Sequence, residues 1–387
     1  MPFKTLEITE KLRGKRVLVR VDANVPVKDG KINESFRLDA IIPTLRKLSR
    51  VGARVVVISH IEHSVLKKSF SDKATLYSVF LYLKKTLPIS FFQVPLSDVK
   101  ESVSVLSDGP IIFLENLRQN SGEEANSPEF ARLIASLGDI YVNEAFSVSH
   151  RSHASIVGVP KLLPSFSGPR FSLEVERLRT AFNPPKPFLV IIGGAKFDTK
   201  LPIIKKFLGV ADNIYVGGAL ANDLFRARGF DVGESLVSEP AIPLMKILDN
   251  SSVRAPTDAV VMRGESKRVE NYNSLSPDAV TVDIGQDSLR GLEEMVKRAR
   301  FILWNGPLGR YEEGFVEGTE ALAKMIAEST AESIIGGGDT VACVSNLGLF
   351  SKFSFVSTGG GAMLEFLSNE TLPGIQALEE SAKKFDL

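Results

Sequence analysis

Leu189-Val190-Ile191-Ile192 runs straight into Gly193-Gly194-Ala195-Lys196, with Asp198, Thr199 and Lys200 close behind. Four consecutive apolar residues, three of them β-branched, suit a strand covered on both faces, the kind found in parallel sheets. Gly193 and Gly194 allow the backbone to come close to a ligand, with amide N–H groups free to point at it. Asp198 or Thr199 is placed to cap the following helix, and Lys196 and Lys200, four apart, share one face of its start. A strand end, glycines, a helix N-terminus and two lysines are the parts of an anion site, most often for phosphate. A plain strand-to-helix turn with two solvated lysines uses the same residues, so this stretch alone leaves both readings open. The Walker A spacing is absent.

The pattern recurs. In the first half, Val17–Val21 ends at Asp22-Ala23-Asn24, Val55–Ile58 at Ser59-His60, Ile111–Leu114 at Glu115-Asn116-Leu117-Arg118, and Ile140–Val142 at Asn143-Glu144. Helical patterns lie between, one from about Arg37 to Arg50 with Leu38, Ile41, Ile42, Leu45 and Leu48 on one face, another from Ala74 to Leu87. In the second half, Ile214–Val216 ends at Gly217-Gly218, Phe301–Trp304 at Asn305-Gly306-Pro307, and Ser333–Ile335 at Gly336-Gly337-Gly338-Asp339. Strands alternating with helices predict doubly wound, Rossmann-like parallel sheets with ligands beyond the carboxyl ends of the strands. At 387 residues one ordinary core is exceeded, and two α/β domains are expected. Prolines 160, 164 and 169 and the run Pro184-Pro185-Lys186-Pro187 bracket a helical stretch that reads as the connection. The expected division is 1–170, a joining helix and linker over 171–187, 188–372, and a tail over 373–387.

Charge and composition set limits. A formal net charge of +1 gives no overall drive toward nucleic acid or membrane, so any basic site is local. No apolar run approaches the ~18 residues of a membrane span, and the N-terminus has no apolar signal core. The single Cys343 excludes an intrachain disulfide and suits a reducing compartment. A cytoplasmic protein is expected.

The strand ends of the two halves differ in kind. Those of the first half gather Asp22, Asn24, His60, Arg118 and Arg151, with Arg37 opening a helix. Arginines converging on one cleft suit carboxylate and phosphate oxygens, which guanidinium holds bidentately. All four histidines lie here, as His60-Ile61-Glu62-His63 and His150-Arg151-Ser152-His153. Histidines three apart can share zinc, but neighbouring arginines would repel a dication. The second half's ends are glycine-rich, with backbone N–H groups to cradle phosphates and room for a flat base. Asp339, beside Gly337, Gly338 and Thr340, reads as a magnesium ligand or, in the plainer alternative, a helix N-cap. One half for a small acid and one for a nucleotide suggests phosphoryl transfer across a cleft. A dinucleotide-dependent dehydrogenase also uses two α/β domains, but no Gly-x-Gly-x-x-Gly follows any strand.

The ordered series of segments resembles the phosphoglycerate kinase family along nearly the whole chain. The segments are Val19–Pro26, Leu114–Arg118, His150–Ser155, Gly193–Lys196, Leu303–Pro307, Gly336–Thr340 and Ser357–Ala362. The resemblance implies magnesium-dependent transfer between ATP and 3-phosphoglycerate, giving ADP and 1,3-bisphosphoglycerate, and the reverse. It implies a monomer of two doubly wound domains that closes about a hinge helix, with the C-terminal tail returning to the N-terminal domain. By similarity, Asp22, Asn24, Arg37, His60, His63, Arg118, His150 and Arg151 hold the acid. Arg37, Lys196, Gly337 and Gly338 serve the transferring group. Lys196, Lys200, Gly217, Gly218, Asn305, Glu312, Gly337, Gly338 and Thr340 hold the nucleotide, and Asp339 both the nucleotide and its metal. The departures cluster on the acid side. Where the family has His-Leu-Gly-Arg-Pro, this chain has His60-Ile61-Glu62-His63-Ser64, so His63 replaces an arginine and the acid Glu62 enters. Gln119 replaces an aromatic residue, Glu144–Val148 replaces Asp-Ala-Phe-Gly-Thr, and Thr281 stands where glycine is common. Losing one charge-assisted anion contact costs about 1.5–3 kcal/mol. A catalytically weakened relative that only binds nucleotide or anions is the alternative these departures raise.

Overall fold

The structure is a computed structural model that describes residues 3–62, 66–67, 74–93, 99, 109–238 and 250–387. The chain forms two compact units, Met1–Glu176 with Thr371–Leu387, and Arg177–Glu370; the division falls inside the helix Pro169–Arg179.

In the first unit six strands lie in the order Ile89–Phe92, Ile111–Leu114, Arg54–Ile58, Arg16–Arg20, Ile140–Asn143, Ser165–Ser167, every pairing parallel. Side chains alternate between faces. Val17, Val19, Val55 and Val57 join one core with Leu38, Ile41, Leu45 and Leu48 of the helix Phe36–Arg50. Leu18, Val56, Ile58 and Ile112 join another with Phe130 and Ile134 of the helix Pro128–Ala135. That second helix starts with proline at its first turn and with Ser127 accepting from Phe130 N–H, both favourable there. The register pairs Arg20 with Ile58 and with Asn143, so residues 21–24, 59–62 and 144–151 leave the sheet along one edge. The helix Pro373–Lys384 belongs to this unit: Gly374 N–H donates to Ser149 O (2.8 Å), Ser381 Oγ bonds Leu163 O and Ser165 N–H, and Ala377 packs with Val148, Ile156 and Val157.

The second unit also has six parallel strands, in the different order Val253–Arg254, Asn213–Val216, Phe188–Ile192, Phe301–Asn305, Glu332–Gly336, Phe355–Val356. Ile192 is level with Val216 and Asn305, and Asn305 with Gly336, so Gly193, Gly217, Gly306 and Gly337 come out side by side. A separate antiparallel sheet of Ser266–Asn271, Asp258–Arg263 and Val280–Ile284 lies in the same unit.

Several elements differ from the sequence reading. The helix expected over Ala74 to Leu87 spans only Tyr77–Lys84. The strand Ser266–Asn271 was not foreseen, because five of its six residues are exposed and polar residues dominate it. Among the described residues no helix is long and apolar enough to cross a membrane.

Candidate active site

The edge of the first unit is built from side chains that already engage one another. Asp22 is buried; its carboxylate accepts from Ser147 Oγ and from Asn24 N–H and lies 3.2 Å from Arg37 Nη1. Burial pushes its carboxyl up, but the Arg37 charge and the hydrogen bonds from Ser147 and Asn24 N–H outweigh this and hold it below the usual range. Arg37 also donates to Asn24 O, and Asn24 Oδ1 accepts from Glu62 N–H. Behind them Arg20, 1% exposed, donates to Ser155 Oγ, Val21 O and His60 Nδ1. Sequence reasoning passed over Arg20; its signal was a charge at the end of an otherwise apolar strand. Because His60 Nδ1 accepts from a guanidinium, the proton sits on Nε2. Burial and the Arg20 charge keep the imidazole neutral, its pKa well below the ordinary value. His60 Nε2 is buried without a hydrogen-bond partner among the described residues, a donor waiting for an oxygen.

Arg118 and Arg151 meet at Glu62. Its Oε1 accepts from Arg118 Nη1 at 2.8 Å and lies 3.2 Å from Arg151 Nη1. Glu124 lies 3.2 Å from the other side of Arg118, whose buried Nη2 has no hydrogen-bond partner among the described residues. Burial raises the Glu62 carboxyl, yet the hydrogen bond and charge of Arg118, with those of Arg151, bring it net below its ordinary pKa. His150 is half-buried, and burial and Arg151 lower its pKa. His63 lies outside the described residues. Two departures noted in the sequence have structural roles. Glu144, buried, accepts from Arg170 and Phe171 N–H and from Thr44 Oγ1, capping the helix Pro169–Arg179, while Ser147 holds Asp22.

The edge of the second unit is built from backbone. The helices Phe197–Phe207, Ala219–Ala227 and Gly338–Asn346 start at Lys196, Gly218 and Gly337, and no side chain caps any of them. This corrects the expectation of a cap from Asp198 or Thr199: Thr199 instead donates to Lys196 O. It also corrects the plainer reading of Asp339, which stands inside the first turn and is not the N-cap. The Gly193 and Gly194 amides are not free either. They donate to Asn305 O and Pro307 O (2.9 Å each), as Gly217 N–H does to Ile192 O, so the open donors lie at the helix starts. The glycines serve close packing: a Cβ on Gly193 would collide with Pro307 O, and Gly218, at φ +62°, would bring one within 2.7 Å of Gly194 N.

Lys196 is exposed beside these amides. Lys200 Nζ donates to Asn305 Oδ1, which leaves the buried Asn305 Nδ2 without a partner among the described residues. Burial pulls the Lys200 ammonium down to about 8, against Asp339. Burial and Glu312 push the half-buried Asp339 carboxyl up, against Lys200. Thr340 is fully buried and its hydroxyl accepts from Gly306 N–H (3.0 Å), so it fixes the loop after Asn305. A cleft runs from Gly194, Gly218, Glu312 and Asp339 to an apolar wall of Leu236, Tyr272, Val282, Leu308 and Tyr311. The sequence did not disclose that wall, whose residues come from distant segments with no shared spacing. Thr281 lines it too, its hydroxyl donating to Asn222 Oδ1 (3.1 Å).

Two doubly wound units, one edge rich in guanidinium and the other in open helix starts and lysine, define the class as a two-domain α/β phosphotransferase. The family profile of phosphoglycerate kinase matches residues 7–370. A phosphoglycerate kinase of Methylorubrum populi is 37% identical over 397 residues, covering 98% of this chain and 99% of the relative. One of Dictyoglomus turgidum is 38% identical over 388 residues, covering 96% and 97%. Among solved structures, phosphoglycerate kinase of Pyrococcus horikoshii superposes with a TM-score of 0.83 at 31% identity, covering 99% of this chain and all of that one. That of Coxiella burnetii gives 0.79 at 33%, covering 98% and 99%. The chain belongs to the phosphoglycerate kinase family.

Proposed function

We propose that the two edges divide one reaction between them. As a phosphoglycerate kinase, the chain transfers a phosphoryl group reversibly between ATP and 3-phosphoglycerate, giving ADP and 1,3-bisphosphoglycerate. In this reading Asp22, Asn24, Arg37, His60, His63, Arg118, His150 and Arg151 hold the acid. Lys200, Gly217, Gly218, Asn305, Glu312 and Thr340 form the nucleotide side, with the adenine against the apolar wall. Lys196, Arg37 and the first-turn amides at Gly337 and Gly338 neutralise the transferring group. The observation that carries the reading is the level row of uncapped helix starts after Ile192, Val216 and Gly336, flanked by Lys196 and Lys200.

The chemistry asks for no general base. A carboxylate oxygen of the acid attacks the terminal phosphorus of ATP, the bond from that phosphorus to the bridging oxygen breaks, and ADP leaves with the electron pair. The protein positions donor and acceptor and neutralises charge. One carboxylate beside nucleotide phosphates suits magnesium, which keeps few protein ligands, and Asp339 fits that role; the ion would neutralise phosphate charge. In-line transfer requires both edges to reach one reaction centre, and the segment 171–187 serves as the hinge for that closure. The reading extends to a monomeric, cytoplasmic enzyme acting on small molecules rather than on nucleic acid or membrane. A coupled assay with ATP and 3-phosphoglycerate tests it. Turnover well above a Lys196→Ala control is the expected result, and turnover no higher than that control would leave only a binding protein.

A further inference from the structure

Glu62 puts a carboxylate where the acceptor site calls for a ligand's anionic oxygens. One oxygen spans the two arginines, 2.8 Å from Arg118 Nη1 and 3.2 Å from Arg151 Nη1. The backbone that carries it is held by other bonds. Glu62 N–H donates to Asn24 Oδ1 (3.0 Å), and the N–H and C=O of the buried Ile61 both bond the Asn116 side chain (3.2 and 2.9 Å). These bonds hold the backbone at Ile61 and Glu62 independently of the carboxylate, whose side chain is 27% exposed.

Binding of an acid here exchanges one anion for another. Glu62 already gives the pair one negative charge and a bridging oxygen. A singly charged ligand brings no more than that and has no advantage over a tethered competitor. A phosphate dianion brings a second charge and further acceptor oxygens, which two guanidinium groups can use together. We infer that Glu62 is a specificity-determining residue, a tethered anion that occupies Arg118 and Arg151 in the absence of acceptor and yields them to a phosphate-bearing acid but not to simple monoanions. The inference rests on the reading of this edge as the acceptor site.

Calorimetric titration of the full chain, without nucleotide, tests it on wild type, Glu62→Gln and Glu62→Gly. The probes are 3-phosphoglycerate, inorganic phosphate, and 3-phosphoglycerate in the presence of acetate. Both variants are expected to bind 3-phosphoglycerate and phosphate about ten- to a hundredfold more tightly than wild type. Acetate should compete with 3-phosphoglycerate in the variants and leave wild type unmoved. Equal or weaker binding of both phosphates by the two folded variants overturns the inference, since Glu62 would then prop the arginines rather than compete for them. Failure of all three proteins to bind 3-phosphoglycerate, with phosphate still tightened in the variants, overturns the acceptor reading and upholds the tethered anion.

Discussion

Both sheets have six parallel strands and an open carboxyl edge, yet the edges are made of different material. In the first unit nearly every donor is a side chain, and most are engaged before any ligand arrives: Arg37 with Asp22 and Asn24, Arg20 with His60, Arg118 and Arg151 with Glu62. In the second unit the open donors are main-chain amides at uncapped helix starts, with Lys196 exposed beside them. A side-chain site is tuned by substitution, as Glu62 and Ser147 show, because each new residue redistributes partners. A main-chain site is fixed by backbone path, and substitution there disturbs the fold before it retunes a ligand. This accounts for the sequence departures gathering on the acid side.

The largest test of the contrast is Lys196→Ala. It removes an exposed positive charge of the main-chain edge without touching its backbone, and kcat should fall by about 10²–10³-fold with the melting temperature unchanged. A comparable loss of stability would mean that Lys196 belongs to the fold. Next comes Gly218→Ala, which strains a left-handed residue and crowds Gly194 N. Thermal denaturation should show a loss of about 1–3 kcal/mol. Nucleotide KM should rise about tenfold while phosphoglycerate KM holds, which would confine the damage to one edge.

Smaller effects come from titration. With Lys200 lowered to about 8 by burial, the ammonium loses its charge as pH rises through that value, and phosphate binding must restore the proton. Nucleotide KM should therefore rise several-fold, about three- to tenfold, between pH 7 and 9. Lys200→Arg should flatten the profile, because guanidinium keeps its charge. A flat wild-type profile would take Lys200 away from the phosphates. The same shift acts on stability with a fixed sign: between about 8 and 10.5 the unfolded chain binds more protons at this residue, so its contribution to stability rises with pH. The smallest effect is at His63, where the family carries arginine. His60 is held neutral and Glu62 ionised, and a histidine, unlike an arginine, is a side chain whose ordinary pKa lies near neutrality. Phosphoglycerate KM should fall about two- to threefold from pH 8 to pH 6, measured against His63→Arg as the baseline for the substrate's own titration. Identical slopes in the two proteins would show that His63 faces away.

The parallel strands were legible because each is a short β-branched run with nowhere polar to go, and the site edges because polar and glycine residues follow each run at once. Ser266–Asn271 was not, since a strand exposed on most positions carries no apolar signature. At the site the residue types were readable and their engagements were not. Gly193 and Gly194 have the composition of an anion loop, but the register against Phe301–Asn305 turns their amides inward to Asn305 and Pro307. Glu62 was visible as an intruding acid, while its placement on two arginines depends on strands more than fifty residues apart in sequence meeting at one edge. Asp198 and Thr199 had capping chemistry, but the helix takes Lys196 as its N-cap, which leaves both inside the first turn.

The helix Pro373–Lys384 gives the first unit a peculiarity of biosynthesis. Its Ile375, Ala377 and Leu378 are buried in that unit, and Ser381 holds the strand Ser165–Ser167 and the residues before it. The piece that completes the N-terminal body is thus synthesised some two hundred residues after the rest of it. During translation the earlier portion waits with an uncovered apolar patch at Val148, Ile156 and Val157. A ribosome that stops near residue 370 leaves the second unit with all of its residues and the first unit without Thr371–Leu387, so the completeness of the first unit depends on the segment made after the second.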